Sequence, residues 1–126
     1  MTRFQAVFPI SGEDLRALPV KDLEIASTFY RDALGFSVIS ADPTAVTLGR
    51  DEVRIGLVPR PDHDPATAGS CYFSVEDVEA LHDELKGRGR EPGAFRIDEY
   101  EGERFRVFFL REDDDGYCFC FGQKVS

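Results

Sequence analysis

Val20-Lys21-Asp22-Leu23-Glu24 returns 55 residues later as Val75-Glu76-Asp77-Val78-Glu79. The echo runs past the pentapeptide: Leu23, Ala26 and Tyr30 fall on Val78, Leu81 and Leu85 at the same offset. In each copy an apolar stretch ends at the valine and an Asp two positions later is placed to cap a helix. Apolar residues then recur at i, i+3 and i+7, the stripe of a helix buried on one side. Two copies are too few for a solenoid, which needs about three. They suit a pseudo-symmetric domain whose halves enclose a cleft.

Punctuation along the chain completes each copy. Phe4 to Ile10 alternates loosely and reads as an extra edge strand or an exchanged arm, broken by Ser11-Gly12-Glu13-Asp14. Leu15 to Val20 reads as a short strand, with Pro19 marking an edge or a strand end. Asp22 caps a helix to about Leu34 with the stripe Leu23, Ala26, Tyr30, Ala33 and Leu34, and Gly35 follows as the helix-ending residue. Strands are expected over 36–40, 45–48 and 53–58, with turns at Asp42-Pro43 and at Gly49-Arg50-Asp51-Glu52. Residues 59–69 read as a linker, because Pro59, Pro61 and Pro65 obstruct a regular element. The second copy runs over about 70–122. A strand over 70–75 and a helix from Asp77 to about Lys86 are followed by Gly87 and Gly89. Strands are then expected near 90–97, 104–110 and 117–121, with turns at Glu101-Gly102 and Asp113-Asp114-Asp115-Gly116. Each half is β-α-β-β-β, and sequential strands after each helix imply an α+β fold of two curved, mixed-sheet modules with helices on the outer face.

A chain of 126 residues and 14.1 kDa fits one domain, since domains usually run to about 100–150 residues, and it needs no disulfide or metal staple. No apolar run approaches the ~20 residues of a membrane span, and Met1 to Ile10 lacks a secretory pattern. A soluble, cytoplasmic protein is expected. Twenty-four acidic against 15 basic side chains leave a net charge of −9, which argues against nucleic acid as a partner. A negative surface attracts cationic small molecules and equally serves solubility. Cys71, Cys118 and Cys120 are odd in number and are expected to be reduced.

Ala17-Leu18-Pro19-Val20-Lys21-Asp22-Leu23-Glu24, then Phe29-Tyr30-Arg31-Asp32-Ala33-Leu34-Gly35-Phe36, resembles the opening signature of the vicinal oxygen chelate superfamily. That group contains glyoxalase I, extradiol dioxygenases and the fosfomycin- and bleomycin-resistance proteins. Asp115-Gly116-Tyr117 is similar to its closing turn, with Asp114 where a proline usually stands. The resemblance covers about residues 15–122. It implies paired modules, each curling into half a barrel, usually completed by dimerisation.

The superfamily's enzymes hold a divalent metal through four side chains, His or carboxylate, that leave room for water or substrate. Carried over one at a time, the resemblance puts those positions at Leu15, Gly56, Cys71 and Cys120. None is a usual family ligand. His63 lies in the Pro-rich linker, and His82 is expected on a helix exterior, so neither replaces them. No catalytic residue, metal ligand or cofactor is expected.

Cys118 and Cys120 share one strand face, and the resemblance turns Cys71 and Cys120 toward the same cleft. Thiolates favour zinc or copper(I), but three small buried apolar side chains is the ordinary reading. Arg54 has the parity of Gly56 and so either faces the cleft or lies in solvent. Tyr30 is expected to pack the helix. Phe105, Phe108, Phe109, Tyr117, Phe119 and Phe121 crowd the last strands; most belong to the core, while those on the cleft side suit a flat ligand. The Asp113–Asp115 run lacks the alternating spacing and distal Glu of a calcium loop. Glu99-Tyr100-Glu101 is expected on an acidic loop able to meet a cation. The expected ligand-binding set is Arg54, Gly56, Cys71, Phe73, Tyr100, Cys118 and Cys120.

Within the superfamily, the bleomycin-resistance branch resembles the chain most, in its emptied ligand positions, its acidity and around residues 49–53 and 102–105. The resemblance implies a homodimer that sequesters an amphipathic, optionally cationic small molecule, as in antibiotic resistance, without a metal and without breaking a bond. The alternative is a metal-dependent lyase, isomerase or dioxygenase with atypical ligands.

Overall fold

Two units with the same internal order account for nearly every element. The computed structural model describes residues 2–10, 14–112 and 114–125. The expected break at Ser11-Gly12-Glu13 and Asp113 of the acidic turn fall outside them. Along the chain lie β1 (Phe4–Pro9), β2 (Leu18–Val20), α1 (Leu23–Leu34), β3 (Ser37–Asp42), β4 (Ala45–Arg50) and β5 (Val53–Pro59). A single 3-10 turn, Pro65–Thr67, leads to β6 (Ser70–Val75), α2 (Val78–Gly87), β7 (Arg96–Tyr100), β8 (Glu103–Arg111) and β9 (Cys118–Val125). One sheet has the order β2-β5-β4-β3, and the other repeats it as β6-β9-β8-β7 with β1 added beyond β6. In each, the strand that enters the helix runs parallel to the last strand, and the other pairings are antiparallel.

The repeat is therefore a structural duplication. Its 55-residue offset holds for strand and helix and then drifts, because residues 88–95 separate α2 from β7 where only 35–36 separate α1 from β3. Both caps form as their chemistry requires: the Asp22 carboxylate accepts from Ile25 N at 3.0 Å and Asp77 from Ala80 N at 3.1 Å. Gly35 closes α1 in the left-handed region at φ 70°. The buried side of α1 carries Ala26, Tyr30, Ala33 and Leu34 as expected. Phe4, Phe36, Phe73, Phe108, Phe119 and Phe121 interleave between helices and sheets.

Several boundaries differ from the sequence reading. The first strand of module one starts at Leu18 rather than Leu15. The strand expected near 90–97 lies at 96–100, and Glu99 and Tyr100 belong to it rather than to a loop. Module two extends to Val125. The linker contains the end of β5 and a turn that Asp64 caps at 3.0 Å with Pro65 first, a position where proline's missing N–H is harmless. His82 is buried rather than exterior. Its ring lies 4.6 Å from Phe95 and 4.9 Å from Phe108, and Nε2 donates to Gly93 O at 3.0 Å. Residues 88–95 fold over α2, which periodicity on the helix alone does not reveal.

A buried ion pair ties the two modules and the N-terminus together. Arg50, 8% exposed, donates from both terminal nitrogens to Glu84 at 2.8 and 2.9 Å. The same nitrogens reach Leu34 O at 2.9 Å and Thr2 O at 3.0 Å, and the guanidinium lies 4.4 Å over the Phe4 ring. Burial pushes the Glu84 carboxyl up, but the hydrogen bonds and charge of Arg50, with Arg88 beyond it, hold it below its ordinary 4.5. The folded state thus binds this proton less readily than the unfolded chain. The resulting stabilisation is complete above the unfolded value and is lost as pH falls through the folded one. Glu84→Gln is expected to lose less stability than the parent between about pH 5 and pH 3, read by denaturant unfolding. Parallel decline of the two proteins would assign the acid limb to other carboxylates.

Candidate ligand-binding site

Strand alternation divides the five-stranded sheet into a dry face and an open one. On β6, Cys71, Phe73 and Val75 are buried against the helices, while Ser70, Tyr72 and Ser74 point the other way. On β9, Phe119 and Phe121 join the core, and Cys118, Cys120 and Gly122 lie opposite. The pairings Tyr72 with Cys120 and Cys120 with Phe109 keep these open-face residues in one row.

That open face holds a hollow of about 690 Å³. Its floor is Tyr72, Cys120, Phe105, Val107 and Phe109. One wall is the end of β1 and the residue after it, through Phe8, Pro9 and Ile10; the other is β7, through Arg96, Asp98, Glu99 and Tyr100. Tyr72 stacks with Phe8 at 6.3 Å and meets Phe105 edge-on at 6.4 Å. Gly122 makes room for it, since a Cβ there would stand 2.3 Å from the Tyr72 hydroxyl. Arg96 lies over Phe109 with Cζ 4.6 Å from the ring centroid, and its Nε is 3.0 Å from Asp98. The hollow is an aromatic basin with carboxylates along one side, suited to a flat apolar ligand bearing positive charge.

The expected site residues separate into four groups. Cys120 and Tyr100 line the hollow, Tyr100 being 68% exposed at its mouth. Cys118 shares the face of Cys120 but lies outside the lining. Cys71 and Phe73 are corrected: both are fully buried on the helix side, because the neighbouring parity, Ser70 and Tyr72, faces the hollow. A shift of one residue reverses every side chain on a strand. Arg54 and Gly56 belong to the other sheet, away from this hollow. Arg54 donates to the Asp51 and Val53 carbonyls, each at 2.9 Å, and borders a smaller hollow of about 540 Å³. Phe8, Tyr72, Arg96, Asp98, Phe105 and Phe109 also line the hollow without having been expected there, although for Tyr72 the Ser70-Tyr72-Ser74 alternation against Cys71-Phe73-Val75 carried a usable signal.

The family's metal does not fit these residues. Leu15 and Gly56 offer no side-chain donor, and a Cβ at Gly56 would stand 2.1 Å from Arg16 O, so the backbone of residue 16 fills that corner. Cys71 faces the core. Burial, with Asp98 adding, pushes the Cys120 thiol up to about 12, which keeps it protonated. Among the described residues no three His, Cys, Asp or Glu side chains form a metal-binding group. His63 is engaged elsewhere, bonded to Asp115 O at 2.9 Å and stacked on Tyr117.

Known proteins share this fold. A bleomycin-binding protein crystallised with bleomycin superposes with a TM-score of 0.75 at 21% identity, covering 91% of this chain and all of the other. The bleomycin-binding protein of Streptomyces verticillus in complex with copper(II)-bleomycin gives 0.64 at 23% identity, over 90% and 97% of the two chains. These likenesses establish the shared fold. The bleomycin resistance protein of Geobacillus stearothermophilus is 28% identical over 133 residues, 90% of this chain and 98% of the relative. A family model matches residues 14–121, nearly the whole chain, and on that match the chain belongs to the Glyoxalase/Bleomycin resistance protein/Dioxygenase superfamily.

Proposed function

We propose that the protein is a cytoplasmic binding protein that sequesters an amphipathic, cationic small molecule of the bleomycin kind, without a protein-held metal and without chemistry on the ligand. The observation that supports this most directly is the aromatic basin bordered by Asp98 and Glu99, in a chain whose family metal positions hold no suitable donors. Aromatic faces give affinity through desolvation and stacking, and the carboxylates favour positive charge. Relatives named for bleomycin resistance and binding support the same ligand class.

Function in a homodimer is part of this reading. β3 is exposed along its whole length, with Val38 and Ile39 at 43% and 54%, and the hollow is open above Tyr100. A second copy laid across these surfaces would remove their apolar area from water and deepen the basin. The first sheet's face with Arg54 and Gly56 would then border the partner's hollow.

Calorimetric titration of chelator-treated protein with metal-free bleomycin tests the binding. One ligand per chain is expected, with a dissociation constant of roughly micromolar or tighter. Thermal stability should rise with ligand, by about 2.7 kcal/mol at a hundredfold excess over the dissociation constant. No heat and no thermal shift would overturn the reading. Stoichiometric metal in untreated protein, with chelator-sensitive turnover, would replace it by a metal-dependent enzyme.

A further inference from the structure

Arg96 lines one wall of the basin, with its guanidinium over the Phe109 ring. β7 places Arg96, Asp98 and Tyr100 on one side by alternation, and their strand partners Val107 and Phe105 belong to the floor. The guanidinium sits 4.6 Å over Phe109 and makes two contacts with Asp98, Nε to Oδ1 at 3.0 Å and Nη2 to Oδ2 at 3.2 Å. The guanidinium carbon is thus held over a ring while two of its nitrogens meet a carboxylate, the two kinds of contact such a group prefers.

The other arginines over rings are engaged differently. Arg50 over Phe4 is buried and locked by Glu84, and Arg106 over Phe95 pairs with Glu79. Arg90 lies over Phe29 of α1. Arg96 is the one that lines the hollow. It is also weakly held: its side chain is 59% exposed and that of Asp98 41%. Pairs this exposed contribute little to folding and exchange readily with solvent. A ligand cation arriving at the same place regains both contacts, while Arg96 recovers its hydration and side-chain freedom.

We infer that Arg96 is a displaceable stand-in for the ligand's cation, and that the seat formed by Phe109 and Asp98 selects ligands carrying a planar delocalised cation such as an amidinium or guanidinium. The inference rests on the binding function proposed above and goes further by assigning the cation's seat and the residue that vacates it. A compact ammonium matches the seat less well, because it cannot lie flat on the ring while offering two parallel N–H bonds.

Two matched probes test this on the full chain: 4-phenylbenzamidine and its neutral isostere 4-phenylbenzamide, titrated by calorimetry beside bleomycin. The parent protein is expected to bind the amidine at least tenfold more tightly than the amide. Arg96→Ala should raise amidine affinity about three- to tenfold, because the seat no longer has to be emptied. Asp98→Asn should abolish the amidine's advantage over the amide. In the parent protein, the Arg96 Nε–H NMR signal should move from its ring-shifted position on saturation with the amidine. That measurement, with the parent's preference between the probes, decides the matter if a variant fails to fold. Equal affinities for the two probes, weaker amidine binding by Arg96→Ala, or an unmoved Arg96 signal would overturn the stand-in while leaving a binding protein. Failure of bleomycin and both probes to bind would instead remove the underlying function.

Discussion

Replacing Arg50 with methionine is expected to lower stability by about 3–5 kcal/mol, the usual cost of removing one partner from a buried ion pair. For a domain of this size that is a fall in Tm of roughly 10–20 °C. The side chain is similar in length, so lost packing is small. What remains is Glu84 with its main cation gone, and the Leu34 and Thr2 carbonyls without their donor. The contact with Phe4 is lost as well, which loosens β1 at the point where Phe4 N also reaches the Asp51 carboxylate at 2.7 Å. Arg50→Met combined with Glu84→Leu should recover much of the loss, because an apolar pair avoids the desolvation of two charges. Thermal unfolding of the single and double variants decides it. A single variant within 1 °C of the parent would mean that Arg50 does not hold the two modules together.

Gly56→Ala is expected to destabilise by about 1–3 kcal/mol from overpacking. The added Cβ meets backbone: Arg16 O at 2.1 Å and Arg16 C at 2.7 Å. Neither can rotate away as a side chain would. Relief requires moving the segment before β2, which breaks the hydrogen bond from Gly56 N to Leu15 O at 2.8 Å and adds about 1 kcal/mol. Gly56→His should fare no better and should gain no stoichiometric nickel or zinc, because the corner the family gives to a metal ligand is filled by main chain. Gly87→Ala is the control. It ends α2 with no atom near its Cβ position, so it should be neutral or slightly stabilising. A Gly56→Ala protein as stable as the Gly87→Ala control would show that residues 15–17 yield easily.

Fold and site differ in how far the sequence shows them because their signals have different range. Asp22 and Asp77 cap helices, Gly35 ends one, and Glu101-Gly102 turns a hairpin, all through contacts within a few residues. Such signals are present in any short window of the chain. The site was less legible. Of the expected residues Cys120 and Tyr100 line the hollow, whereas Cys71 and Phe73 face the helices, and Tyr72 was not among those expected. The serines of Ser70-Tyr72-Ser74 mark the less apolar face of β6, but on β9 both parities, Cys118-Cys120 and Phe119-Phe121, are apolar, so alternation there says that two faces exist without saying which one the helices cover. Arg50 was hidden for another reason. Beside Asp51 and Glu52 it looks like part of an exposed hairpin tip, and its partner Glu84 lies on the helix of the other module.

Duplication, element order and helix caps were written in the linear chain, because periodicity and capping act over one to four residues. The family signature extended that to an expected architecture. Which strand faces became dry, which formed the basin, and which arginine was buried or left to be displaced were decided in three dimensions. Those outcomes depend on surfaces brought together from opposite ends of the chain, Phe8 against Tyr72 and Arg50 against Glu84, and burial is a property of the pair rather than of either residue.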